Sequence, residues 1–209
     1  MNPVRIRVLR AALTAAAALT LAVPAGAQIL GQYSGLYPLA GGRKELGVFL
    51  GTGSGDMGVT AQGRVGSTRT LGYDLQMASQ NSRFAAQLGA LAGLMRSSGD
   101  YPLVLGGQLA GGLLTGGGST GPYIQGVPGL SVEWDAGSGQ VFSLWGGLGL
   151  RIMSSTKAAG SSDAIYRLGG RFDYSSDFGF ATNLESVDGN STISVGMQYR
   201  FGNNGNNRP

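Results

Sequence analysis

Ser191-Thr192-Ile193-Ser194-Val195-Gly196-Met197-Gln198-Tyr199-Arg200-Phe201 is the stretch on which the reading of the whole chain turns. Taking every second residue gives Ile193, Val195, Met197, Tyr199 and Phe201, all apolar and closing on two aromatics. The residues between them, Thr192, Ser194, Gly196, Gln198 and Arg200, are polar or small. Successive side chains of a strand point to opposite faces, so strict alternation over this length makes a strand with one oily and one wet side. Two architectures use such a strand. A soluble sandwich turns the oily face to its core, whereas a membrane barrel turns it to lipid.

The segment also resembles the closing strand of bacterial outer-membrane β-barrels. That family ends on a polar residue, any residue, glycine, two of any kind, an aromatic or apolar residue, any residue, and an aromatic. Ser194, Gly196, Tyr199 and Phe201 occupy those positions in register. The resemblance implies an antiparallel up-and-down barrel embedded in outer-membrane lipid, with this strand read by the barrel-assembly machinery during biogenesis. One departure is plain. Family members stop at the terminal aromatic, whereas here residues 202–209 (Gly-Asn-Asn-Gly-Asn-Asn-Arg-Pro) follow as a polar tail.

The N-terminus supplies an address. Arg5, Arg7 and Arg10 form a basic head, and Ala11 to Val23 is apolar except for Thr14 and Thr20. Ala25 and Ala27 then place small residues where a signal peptidase reads them, so residues 1–27 read as a secretory signal cleaved after Ala27. The run is too short for a helical span, which needs about 20 apolar residues. Export changes the charge balance. The chain has 15 Lys and Arg against 11 Asp and Glu, and losing three arginines with the signal leaves 12 against 11. Near-neutrality without a basic patch excludes nucleic acid as an expected partner. The chain has no cysteine, so it has neither disulfides nor thiolate ligands.

Composition separates the two strand readings. Charged residues make up 12% of the chain, against roughly 25% in ordinary soluble domains. The lysines are Lys44 and Lys157. A soluble sandwich, for instance a secreted ligand-binding β-protein, would need far more surface charge than this. A barrel in lipid needs only an apolar exterior and a modest polar interior. The 39 glycines suit turns and crowded interior strand positions.

Residues 28–42 lack alternation and read as an N-terminal arm or plug. Beyond them, clusters of Gly, Asn, Asp and Ser cut the chain into strand-sized pieces. The pieces are Arg43–Thr52, Met57–Gly66, Thr70–Ser79, Arg83–Met95, Pro102–Thr115, Gly121–Asp135, Gln140–Met153, Asp163–Tyr174, Asp177–Ser186 and Ser191–Phe201. No gap holds a crossover helix, so neighbours run antiparallel. The expected fold is all-β, a ten-stranded barrel over residues 43–201, with eight strands as the alternative. Ten residues rising about 3.3 Å each and tilted roughly 40° cover about 25 Å, the height of the apolar band of such barrels. An even count puts both ends of the barrel on one side, and the longest connection, Ser154 to Ser162, then falls on the other.

Alternation also assigns an interior. Tyr166, Leu168, Phe172 and Tyr174 face out while Arg167, Arg171 and Asp173 face in. Phe142, Leu144, Leu148, Leu150 and Ile152 face out while Arg151 faces in. Leu130, Val132 and Trp134 face out, with Ser131, Glu133 and Asp135 inside. Arg64 and Gln62, Asp74 and Gln76, and Arg200 complete the inward set. Both signs are present, so the expectation is a lumen of mutually paired charges, with a narrow porin-like channel for small solutes as the second reading. Catalysis has little to work with. The chain has no histidine, which excludes Ser-His-Asp chemistry, and the glycine runs at 51–55 and 116–118 lack the Lys-Ser/Thr of a phosphate loop. Glu133 and Asp135 stand about 7 Å apart on one strand face and read as lining. The expected protein is a non-enzymatic barrel with a structural or surface-interaction role, needing no cofactor and no metal.

Overall fold

Each strand-sized piece of the sequence forms a strand in the computed structural model, whose described residues are 39, 41–53, 56–68, 70–97, 103–115, 120–154 and 161–202. The strands are β1 (Arg43–Gly53), β2 (Asp56–Gly66), β3 (Leu71–Gln80), β4 (Arg83–Arg96), β5 (Leu103–Thr115), β6 (Gly121–Gly137), β7 (Gln140–Met153), β8 (Ser161–Asp173), β9 (Phe178–Val187) and β10 (Asn190–Gly202). Every strand pairs antiparallel with its sequence neighbours, and β1 pairs with β10 to close a ten-stranded up-and-down barrel. The seam is continuous from Arg43 opposite Gly202 to Gly53 opposite Thr192. Closure leaves no strand edge unpaired. The signal segment, nearly all of the arm and residues 203–209 lie outside the described residues.

Turn chemistry explains why the strands end where they do. Asn81 and Ser82 have φ of 43° and 60°, and Asp188 and Gly189 have φ of 49° and 76°. Positive φ at both central residues is the two-residue turn whose twist matches that of the flanking strands. Strands β1, β2, β4, β6, β8 and β10 are one or two residues longer than the alternation suggests. Between β6 and β7 the register shifts between Asp135 and Gly137, and this bulge carries β6 on to Gly137. A second shift lies between Gly93 and Met95 on β4. β8 begins at Ser161, not Asp163, so the connection before it is shorter than expected.

Burial is inverted relative to a soluble domain. Leu46, Val48 and Leu50 on β1 are each more than half exposed, while Glu45 on the same strand is 2% exposed. The same inversion runs round the barrel, with Leu88, Leu109, Ile124, Leu148 and Ile152 outside and Arg64, Asp74, Gln125 and Arg167 inside. Charged groups are almost never buried unless paired, so the lumen has to satisfy them. Outward-facing aromatics gather at the end where β1 begins and β10 ends. Trp134, Phe142, Phe172 and Phe180 are successive register partners across β6, β7, β8 and β9. The Trp134 and Phe142 rings lie 4.6 Å apart, and Tyr199 stacks on Phe201 at 6.1 Å. At the same end Arg43 Nη2 donates to Ser176 O at 2.9 Å and to Asp177 Oδ1 at 3.2 Å, tying the first residue of β1 to the β8–β9 turn.

Candidate functional site

The lumen is built row by row from the strand register. Arg200, Glu45, Arg64 and Asp74 are successive cross-strand neighbours on β10, β1, β2 and β3, and their charges alternate in sign. Two residues further along the strands, Gln198, Gly47, Gln62, Gln76 and Gln87 form the next row. A flat sheet would leave these rows on one polar face. Closing the barrel aims them at one another across the lumen.

Two ionic groups result. In the first, Glu45 accepts from Arg64 Nη1 at 3.2 Å and from Arg200 Nε at 2.8 Å. Arg200 also pairs with Asp173, which in turn meets Arg171 Nε at 3.2 Å. Arg171 reaches Glu133 at 3.5 Å, and Arg96, half exposed at the mouth, reaches the same carboxylate at 3.6 Å. In the second, Asp74 accepts from Gln76 Nε2 at 2.6 Å and from Gln108 Nε2 at 2.9 and 3.0 Å. Gln108 Oε1 accepts from Arg167 Nη1 at 2.8 Å, and Arg167 Nε donates to Glu185 at 2.6 Å. Glu185 meets Arg151 at 3.6 Å. Arg151 Nε donates to Gln125 at 2.9 Å and lies 4.9 Å over the Tyr123 ring. Gln125 Nε2 and the Tyr123 hydroxyl both donate to Gln87 Oε1, at 2.8 and 3.1 Å.

Of the residues assigned to the interior by alternation, Arg64, Asp74, Glu133, Arg151, Arg167, Arg171, Asp173 and Arg200 stand in these groups. Asp135 does not. It keeps the inward parity, opposite Val141 in regular register, and lies exposed at the rim, where its Oδ1 accepts from the Gly137 N–H at 2.7 Å. Glu45 and Glu185, each of which holds two arginines, were not singled out from the sequence, although strand parity points both inward.

An apolar layer shares the interior. Phe49, Val127, Trp145, Ile165, Ala181 and Val187 form a buried cluster. Glycines on the same and on neighbouring strands make room for it: a Cβ at Gly47 would come within 2.8 Å of the Phe49 ring, and one at Gly196 or Gly169 would overlap Phe49 or Trp145. Ser194 and Gly196 therefore face the lumen, while Tyr199 and Phe201 face outward.

No protein-family model and no curated protein matches the chain. Among solved structures the barrel is similar to a de novo designed transmembrane β-barrel (10% identity over 78% of this chain and 99% of that one, TM-score 0.40). It is also similar to the KdgM porin (9% identity, 75% and 99%, TM-score 0.40) and to the NanC porin (12% identity, 75% and 98%, TM-score 0.44). Likeness at this level assigns neither a family nor a role.

Proposed function

We propose that this chain is an outer-membrane β-barrel whose lumen is closed by its own side chains and whose role is structural or surface-interacting. The observation that carries the reading is the double ionic network, in which inward charges from β1, β2, β3, β6, β7, β8, β9 and β10 are ion-paired or hydrogen-bonded along the lumen wall. A buried charge costs several kcal/mol unless it is paired and hydrogen-bonded, so a network this connected holds its members in place. A porin-like pore would instead leave charged side chains facing water. The continuous exposed apolar exterior supports lipid as its surroundings, because a soluble barrel would present such a surface to water. The secretory signal and the closing-strand resemblance supply the export and assembly route. The test is cell fractionation of the mature chain followed by gel electrophoresis with and without heating. The expected result is recovery with the outer membrane and a faster-migrating unheated form. Recovery in the soluble periplasmic or culture fraction would overturn the reading.

A narrow solute channel is the second reading, favoured by the row of paired glycines Gly93, Gly106, Gly129 and Gly147 on β4 to β7, whose stretch of wall sends no side chain into the lumen.

A further inference from the structure

Pro128 stands exposed in the middle of β6, in a barrel that has no edge strand on which to place a proline. The β6–β7 ladder runs from Tyr123 opposite Met153 to Gly126 opposite Leu150 and resumes, in the same register, at Gly129 opposite Gly147. Val127 and Pro128, which face Gly149 and Leu148 in that register, make no ladder pair with β7. Every other interruption of a ladder among the described residues is a bulge with an added residue. Here nothing is added. The cause is one missing donor. The Ser154 N–H donates to the carbonyl of Pro122, directly opposite it, at 3.0 Å, which marks Pro122 and Ser154 as a hydrogen-bonded pair. Such pairs recur at every second residue and exchange two bonds, so Pro128 and Leu148 form one by position. Proline has no N–H to give, and the Leu148 carbonyl loses its ladder donor. A backbone group without a partner is costly in lipid, so the seam is weakest at this point.

Little covers the break. Gly149 borders it, and a Cβ there would overlap the Gly126 carbonyl and Val127. Outside, Leu109, Ile124, Leu148 and Leu150 are exposed apolar side chains, so the break opens on the hydrocarbon of a surrounding bilayer. Inside, the residue opposite Gly149 is Ile165 on β8, which with Val127 and Trp145 belongs to the buried apolar cluster. Arg151 and Arg167 flank this spot, and Glu185 holds both. The place therefore suits an uncharged chain and not a lipid headgroup.

We propose that the β6–β7 seam at Pro128 and Leu148 is a lateral slot through which an acyl chain of a membrane lipid enters the barrel wall and lies against Val127, Ile165 and Trp145. Val127 and Ile165 are no more than 1% exposed, so the chain enters as the two strands part. The inference goes beyond the closed-lumen reading and rests only on its membrane setting.

The chain has no cysteine, so Ile165→Cys puts a unique thiol behind the slot. Ala78→Cys puts one at a buried inward position behind the unbroken ladders of β3 with β2 and β4. Each variant is reconstituted in phospholipid vesicles, with heat-modifiable migration confirming the barrel, and exposed to a long-chain alkyl maleimide dissolved in the bilayer. The expected result is modification of the Ile165→Cys thiol at least tenfold faster than that of Ala78→Cys. Adding Pro128→Val, which returns an N–H to the ladder, should slow it at least tenfold. Equal rates at the two positions, or a rate indifferent to Pro128→Val, overturn the slot. If Pro128→Val does not assemble, Pro128→Ala takes its place with the same outcomes. A charged, water-soluble methanethiosulfonate should leave both thiols unmodified over the same time. If it reaches the Ile165→Cys thiol as fast as the alkyl maleimide does, the route runs through the mouth and the slot is overturned. Recovery of the unaltered chain in the soluble fraction sinks the membrane reading and the slot with it, whereas equal rates in an assembled barrel sink the slot alone.

Discussion

Glu45 shows what a single interior residue does here. Its carboxylate accepts from Arg64 and Arg200 and lies 3.4 Å from Gln198 Nε2, all buried. Glu45→Gln removes the charge and keeps the volume, leaving two guanidiniums with less compensation than burial requires. The expected loss is about 3–5 kcal/mol, the range for breaking a buried pair, read as a lower urea midpoint in detergent. Lys44→Gln, one residue away on the outward face, should change stability by less than about 0.5 kcal/mol. A similar pair tests the glycine seats. Gly196→Ala drives a Cβ into the Phe49 ring and the Val48 carbonyl and should cost about 1–3 kcal/mol as overpacking. At outward Gly63 the nearest atom to an added Cβ is Leu46 Cδ2 at 3.7 Å, so Gly63→Ala should be close to neutral. Residue-scale legibility was uneven for a physical reason. Alternation by polarity finds Arg167 or Asp74 because they stand out against apolar neighbours. It passes over Phe49 and Trp145, which are apolar yet inward, because polarity alone sends an apolar side chain to the outer face and the seats that Gly196 and Gly169 make for them on other strands appear only once the strands are paired. Asp135 keeps the inward parity that the rule gives it but stands exposed at the rim, where the strand ends in a bulge.

At the scale of strands and turns the sequence was far more explicit. Boundaries fall within about two residues because Asn81-Ser82 and Asp188-Gly189 can adopt turn dihedrals that branched residues resist. The largest differences, two residues each, are at the end of β6 and the start of β8, where a bulge and two serines extend the pairing. The element with a further expected role is β10. Phe201 stacks on Tyr199 outside the barrel, and its neighbour Gly202 pairs with Arg43 at the seam. If this strand is the assembly signal that its resemblance implies, Phe201→Ala should lower the amount of heat-modifiable barrel in the outer membrane while export across the inner membrane continues. Removing residues 203–209, beyond the paired strand, should do little. Loss of assembly on tail removal with Phe201→Ala unaffected would show that the signal lies elsewhere.

For the whole molecule, closure is what turns twenty strand faces into one apolar exterior and one paired interior. Neither the β1–β10 seam nor the network is visible in any single segment. The network needs the register of ten strands to bring Arg200 beside Glu45, 155 positions away in sequence. The central claim is that this interior is filled rather than open, and ionic current tests it directly. Purified full-length mature protein reconstituted in a planar bilayer should give no steady opening, or only a very small one. Large, stable, porin-like steps would contradict the closed lumen and make the chain a channel.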